Sequence, residues 1–353
     1  QTTHTYYDFT PTSQNPLQEV WVGAGIYTNP KGYVLRNHVQ VFGAFPKLGN
    51  PGKDQRHPQL TEGISLSRTA AGVNIRDYET ILQTNANILE RDLHKNDVSV
   101  LSQPEECRVT ENALSNIPAN RVIYEGAIWD GFTLRYGYKS ALPRGGSGRR
   151  DGGAGVRLYE NAQIVNCVIR DNLMEKGYGR GSGIYVDGST IINCYIMNNL
   201  AQNTSQIYGG GLYMIKGTIY NSVITGNDLG NSGERLGAGA FFESADFYNN
   251  TVANNKNGAA LGVWTASADD AHLTVYNSIV MGGDNKLIDR SNSTPITFKY
   301  SFLQSSQNAP NDRYFTISDH NQVYCGGYNA NIYHPFAKDY TEAITQYDFR
   351  LTQ

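Results

Sequence analysis

The chain has 353 residues, a net charge of -3, 37 Gly, 24 Tyr and only 17% charged residues. So slight an acidic balance gives no electrostatic case for a nucleic-acid partner or an anionic membrane surface, and no apolar run approaches the ~20 residues of a membrane helix. The chain opens at Gln1 without Met, so it reads as processed or trimmed, and the lack of a leader says nothing about export.

In chain order, residues 16–129 read as irregular N-terminal coils. Val20-Trp21-Val22, Gly25-Ile26-Tyr27 and Val39 to Phe45 are strand-like, a loop rich in Pro, Gly and charge runs from Lys47 to Gln59, and residues 60–120 lack a beat and read as excursions. Regularity occupies residues 130–284. There Asn166, Asn193, Asn221, Asn249 and Asn277 follow one another at 27, 28, 28 and 28 residues. Asn172, Asn199, Asn227 and Asn255 keep the same step, and Gly155, Gly183, Gly211 and Gly239 recur every 28. Residues 285–353 lose the period and read as closing coils and a cap. A period of this size marks units that stack because none buries its own apolar face alone, so residues 1–353 are read as one solenoid domain.

Each unit predicts three short strands. Ile169, Ile196, Ile224, Val252 and Val280 form one inward β-branched column, while Arg170, Met197, Thr225, Ala253 and Met281 are expected to face out. Ile164, Ile191, Ile219, Phe247 and Val275 form a second inward column just before the first asparagine series, and a third strand follows the glycines. Three strands and three turns per 28 residues make an all-β, right-handed parallel β-helix of a single chain. Asn tolerates left-handed turns and its amide can bond to the next Asn one coil away, at about 4.7–4.9 Å. These asparagines are therefore read as structural. No Cys pair has metal-ligand spacing, so no metal site is expected. Cys167 and Cys194 share a column one coil apart with parallel side chains, which favours free buried thiols.

The segments VWVGAGIYT, VQVFGAF, ETIL, WDGFTLRYG, GGGLYM, YNNTVANN and YNSIVMG resemble those of secreted, pectate-lyase-like (pectin-lyase-like) right-handed β-helix proteins of the Bacteroidetes type. The likeness is specific for fold and covers nearly the whole chain. Two features depart from it: no lead-in is recognisable before Val20, and Asp348 to Gln353 looks like the start of a longer closing segment. The resemblance implies an exported, extracellular or cell-surface protein, expected as a monomer, that binds polysaccharide. It also implies a groove on the outer face of the strand after the glycines.

That face carries Arg157, Tyr185, Tyr213 and Phe241 in one column and Tyr159, Asp187, Ile215 and Glu243 in the next, with Gly262 and Trp264 in the following coil. Exposed rings at one-coil intervals suit the apolar faces of sugars; the bland reading is rings stacking on one another along a sheet. Arg149, Arg150, Arg180 and Arg235, with Arg157, read as a basic rim for a uronic-acid glycan, or as loop charges paired with Asp151, Glu175 and Glu234. Asp187 and Glu243, two coils and so about 10 Å apart at the backbone, are the candidate carboxylates of an inverting hydrolase, with Ile215 standing between them. A lyase would instead take a base and a charge neutraliser from Arg157, Tyr185 and Arg180, or use Ca²⁺, for which the groove columns offer no acidic cluster. The incomplete constellations favour binding over cleavage by a lyase or glycosidase. A non-catalytic adhesin or structural surface solenoid is the alternative.

Overall fold

A computed structural model describes residues 18–35, 39–47, 56, 78–85, 98–102, 127–140, 152–159, 161–264, 272–282, 287–290, 295–304, 315–317 and 322–324. Among them every named strand pairs in parallel with the equivalent strand of the next coil, and there is no helix. Three long sheets result, of ten, ten and eight strands. We call them sheet I (including Ala162–Val165, Ser189–Ile192, Gly217–Tyr220, Ala245–Tyr248, Leu273–Tyr276 and Ile296–Lys299), sheet II (including Val168–Arg170, Tyr195–Met197 and Val223–Thr225) and sheet III (including Val156–Leu158, Ile184–Val186, Leu212–Met214 and Ala240–Phe242). The chain is a stacked parallel β-helix.

The central coils hold more strands than the three that the periodicity predicts. Between sheets II and III the chain runs out and back through two further three-stranded parallel sheets. The outgoing sheet contains Tyr138–Ser140, Leu173–Glu175 and Leu200–Gln202; the returning one contains Tyr178–Arg180, Gln206–Tyr208 and Glu234–Leu236. These arms have their own small core of Met174, Ala201, Ile207, Leu229 and Ala238.

The main core is the stack of inward columns. Ile164, Ile191, Ile219, Phe247 and Val275 register with one another along sheet I, and Ile169, Ile196, Ile224, Val252 and Val280 along sheet II; all are fully buried. The column from Arg170 to Met281, expected to face out, is buried as well.

The two asparagine series do different work. Asn166, Asn193, Asn221, Asn249 and Asn277 occupy the turn from sheet I to sheet II with φ of 51°, 53°, 50°, 57° and 47°. Each backbone N–H donates to the residue before the next ladder position at 2.9–3.0 Å, and the Asn249 and Asn277 amides donate to Asn221 and Asn249 at 3.2 and 2.8 Å. Here the left-handed backbone selects Asn. Asn172, Asn199, Asn227 and Asn255 point inward instead and are at most 3% exposed. Each of the first three amides donates to the next Oδ1 at 2.9, 2.9 and 3.0 Å, and Asn199, Asn227 and Asn255 also donate to the carbonyls of Ile169, Ile196 and Ile224. The glycine series is the counterpart of this inner ladder. A Cβ at Gly155, Gly183, Gly211 or Gly239 would come within 2.6, 2.7, 2.7 or 2.9 Å of the amide nitrogen of Asn172, Asn199, Asn227 or Asn255.

Cys167 and Cys194 are free and buried. Their column continues through Ser222, Asn250, Ser278 and Ser301, whose side chains accept backbone N–H groups of the preceding coil at 2.7–3.2 Å. At the upper end of the outer ladder, Asn166 donates to Asp130, which also forms a buried ion pair with Arg56 at 2.7 Å. Arg56 additionally donates to the Gly43 carbonyl, fixing that residue over the early coils.

Candidate functional site

Sheet III carries the residues that the sequence assigns to a groove, and their register is as expected. Arg157, Tyr185, Tyr213 and Phe241 align coil by coil, followed by Gly262. Their exposure is not. Tyr185, Tyr213 and Phe241 are fully buried, with successive ring centroids 5.7 and 5.3 Å apart and planes within 4° of parallel.

The returning arm covers them. Tyr208 stacks on Phe241 at 4.9 Å, the Arg180 guanidinium lies 5.1 Å from the Tyr213 ring centre, and Leu236 and Trp264 pack on the cluster. Gly152 completes the lid, because a Cβ there would enter the Tyr185 ring at 2.3 Å. The expected open aromatic groove is therefore an interlayer core between sheet III and its own arm. Arms of three-residue strands flanked by glycine show no alternation, so the sequence displays them as loops.

The remaining assigned residues follow from this layering. Arg157 is buried, with its guanidinium 5.9 Å from the Tyr159 ring. Glu243 is buried and accepts a hydrogen bond from the Tyr213 hydroxyl, while Asp187 is half-buried two coils away. Burial, with the Glu243 carboxylate beside it, holds the Tyr213 hydroxyl well above the ordinary phenol range, against the opposing pull of Arg180. An inverting hydrolase needs one carboxyl to protonate the leaving-group oxygen and a second to activate a water on the opposite face of the sugar, and a carboxylate buried against the Tyr213 hydroxyl is open to neither task. Trp264 is half-buried against Tyr208 at 6.4 Å. Arg235 is exposed and donates to the Gly230 carbonyl at 3.0 Å. Arg149 and Arg150 lie outside the described residues. Among the described residues no three His, Cys, Asp or Glu side chains gather as a metal site.

The open aromatic surface is elsewhere. On the outer side of sheet I, Tyr220, Tyr248 and Tyr276 stand in register on consecutive coils, and Tyr300 follows on the next. Tyr220, Tyr276 and Tyr300 are 36%, 37% and 48% exposed. Ring centroids are 5.3, 6.1 and 5.0 Å apart down the stripe, with interplanar angles of 13°, 59° and 65°. A tilted contact uses one face and one edge, so the lower part of the stripe is not a closed stack.

Polar groups flank the rings. On one side run the exposed ladder amides of Asn221, Asn249 and Asn277; on the other run Thr218, Asp246, Thr274 and Thr297, in register. His272 bridges Ser244 through Nδ1 at 3.3 Å and Asp246 through Nε2 at 3.4 Å. This has the residue types of a nucleophilic triad, but the Ser244 and Ala245 N–H groups are spent on Ile215 and His272 carbonyls, leaving no donor pair there for an oxyanion. One signal for this face was present in the sequence: the dipeptide Tyr-Asn recurs as Tyr220-Asn221, Tyr248-Asn249 and Tyr276-Asn277.

Fold and surface together define a parallel β-helix protein with one aromatic column covered and a second open. The chain matches no protein-family model, no curated protein and no solved structure. What the structure bears out of the resemblance to pectate-lyase-like proteins is the stacked parallel coil.

Proposed function

We propose that this protein is a polysaccharide-binding β-helix of the cell surface or extracellular space, and that it holds the glycan on the outer face of sheet I. The observation that carries this reading is the solvent-facing stripe of Tyr220, Tyr248, Tyr276 and Tyr300 between amide and hydroxyl rows. Exposed aromatic rings offer apolar area at low entropic cost, and the flanking amides and hydroxyls match the donor and acceptor edges of a sugar. Contiguous exposed apolar strips on a soluble surface mark interaction sites. The placement outside the cell rests on the sequence resemblance and on where polysaccharides are met.

Titration with a panel of soluble neutral and acidic polysaccharides tests the reading. Wild-type protein should bind at least one of them, and replacing both Tyr248 and Tyr276 by Ala should weaken that binding tenfold or more, for roughly 1.4–3 kcal/mol of lost ring contact. Absence of binding across the panel by a folded protein would remove it. That outcome would favour the second reading, a structural or adhesive solenoid, which the close stacking of Tyr220 on Tyr248 supports.

A further inference from the structure

We infer that the glycan is a neutral, extended β-1,4-linked chain lying along the solenoid axis, with one sugar per coil over four coils. This inference rests on the reading of sheet I as the binding face and adds the class and direction of the ligand.

The first argument is periodicity. The three coils of Tyr220, Tyr248 and Tyr276 repeat one chemical set, a ring between a hydroxyl or carboxylate and an amide, at the coil spacing of about 4.8 Å, and the coil below adds a fourth ring. A polymer that reuses the same contacts must advance by about that length per sugar and run straight. An extended β-1,4-linked pyranose chain advances by about that length and runs straight, and because its successive sugars turn over, it lays alternate apolar faces on equivalent rings; a coiled α-linked chain leaves the register after one or two units. The length of the track follows from the sequence: the coils before Tyr220 place half-buried Val165 and Ile192 in its column.

The second argument is the lower end. Lys299 takes the column position of a fourth tyrosine, and the ring is supplied by Tyr300, which occupies the ladder site that Asn holds in the coils above. Tyr300 has φ 52°, a left-handed conformation that Asn adopts readily and a bulky aromatic residue does not. Backbone strain of this kind persists where the side chain is needed, and this ring lies 5.0 Å from Tyr276 as the most exposed of the four.

The third argument is charge. Asp246 stands in the middle of the hydroxyl row, between Thr218 and Thr274 and beside His272. A chain with a carboxylate on every sugar would set one against it, and Lys299 could receive only the sugar at the lower end, whereas neutral hydroxyls find acceptors and donors in the carboxylate, threonines and amides.

The test is a length series of β-1,4-linked gluco-, manno- and N-acetylglucosamine oligosaccharides of two to six units, with oligogalacturonates and α-1,4-linked glucans of the same lengths. Affinity should rise by roughly threefold to tenfold per added unit up to four in at least one neutral β-linked series and then level off. Tyr300→Asn should move the plateau from four units to three while leaving the unfolding midpoint equal or higher, since Asn suits the left-handed site; a purely structural tyrosine would lower the midpoint and leave the plateau in place. Preference for the galacturonates or the α-linked chains, or affinity independent of length, overturns this inference and leaves the binding face standing. Failure of the folded protein to bind any glycan overturns both.

Discussion

Among the described residues two columns of aromatic rings climb this solenoid, one covered and one open to solvent. Tyr185, Tyr213 and Phe241 on sheet III and Tyr220, Tyr248 and Tyr276 on sheet I both sit at outward strand positions, one per coil, in unbroken register. The difference lies in what the chain does beside them. Sheet III is entered through an arm that folds back over its outer face, placing Tyr208, Arg180 and Leu236 on the rings. Sheet I leaves through a one-residue left-handed asparagine turn, which has no length from which to build a cover. Strand register settles which way a side chain points; the length of the adjoining turn settles whether anything lies on top of it.

The sharpest way to break that comparison is to truncate one ring from each column. Tyr213→Ala removes a fully buried ring from between two others and a hydroxyl from Glu243, and should cost about 3–5 kcal/mol of unfolding free energy. Tyr276→Ala removes a surface ring and should cost less than about 1 kcal/mol. Denaturant unfolding of both variants measures the two values directly. Equal losses would mean that the arm is not a packed cover or that the surface stripe is part of the core.

The asparagine ladders repeat the contrast at smaller scale. Asn227→Ala strips a buried amide from two side-chain bonds and the Ile196 carbonyl, and should cost roughly 2–4 kcal/mol, since several polar groups are left unpaired without water. Asn221→Ala sits at an exposed rung whose neighbours water can serve, so its cost, from the left-handed backbone and the bond from Asn249, should be about 1 kcal/mol. The same denaturant series reads both. A larger loss at Asn221 than at Asn227 would show that backbone conformation, not buried amide pairing, sustains the stack.

Much of this was legible because repetition amplifies weak signals. A single Ile is uninformative, but Ile164, Ile191 and Ile219 at one spacing specify an inward face, and five asparagines at that spacing specify a turn. The arms were not legible, since Leu173–Glu175 and Tyr178–Arg180 are too short to alternate and lie among glycines. The open groove expected on sheet III fails for the same reason: with the arm read as a loop beside it, nothing in the sequence buries Tyr185 and Tyr213. Two series of nearly the same step, Asn172 to Asn255 and Gly155 to Gly239, are visible separately. Their partnership needed three dimensions, because each pair touches across the neck of an arm.

Alkaline titration gives the most graded separation of covered from open. Burial raises the Cys167 thiol to about 12 from an ordinary 9.0, and burial with Glu243 raises the Tyr213 hydroxyl well above 10.0. In each case the folded state keeps its proton where the unfolded chain releases it. The stability these groups contribute is complete below the unfolded value and is lost as pH rises through the folded one. Unfolding free energy should therefore hold steady up to about pH 9, begin to fall as unfolded thiols ionise, and fall more steeply above about pH 10, when unfolded Tyr213 joins them. Each group adds a slope of up to about 1.4 kcal/mol per pH unit. Tyr213→Phe should start from a lower stability, having taken a donor from Glu243, but fall less steeply above pH 10, where half-buried Tyr33, raised to about 12, still contributes its own slope. If Tyr213→Phe gives the same alkaline limb as the wild type, the Tyr213 hydroxyl is in contact with solvent and the arm is not the seal that separates the two columns.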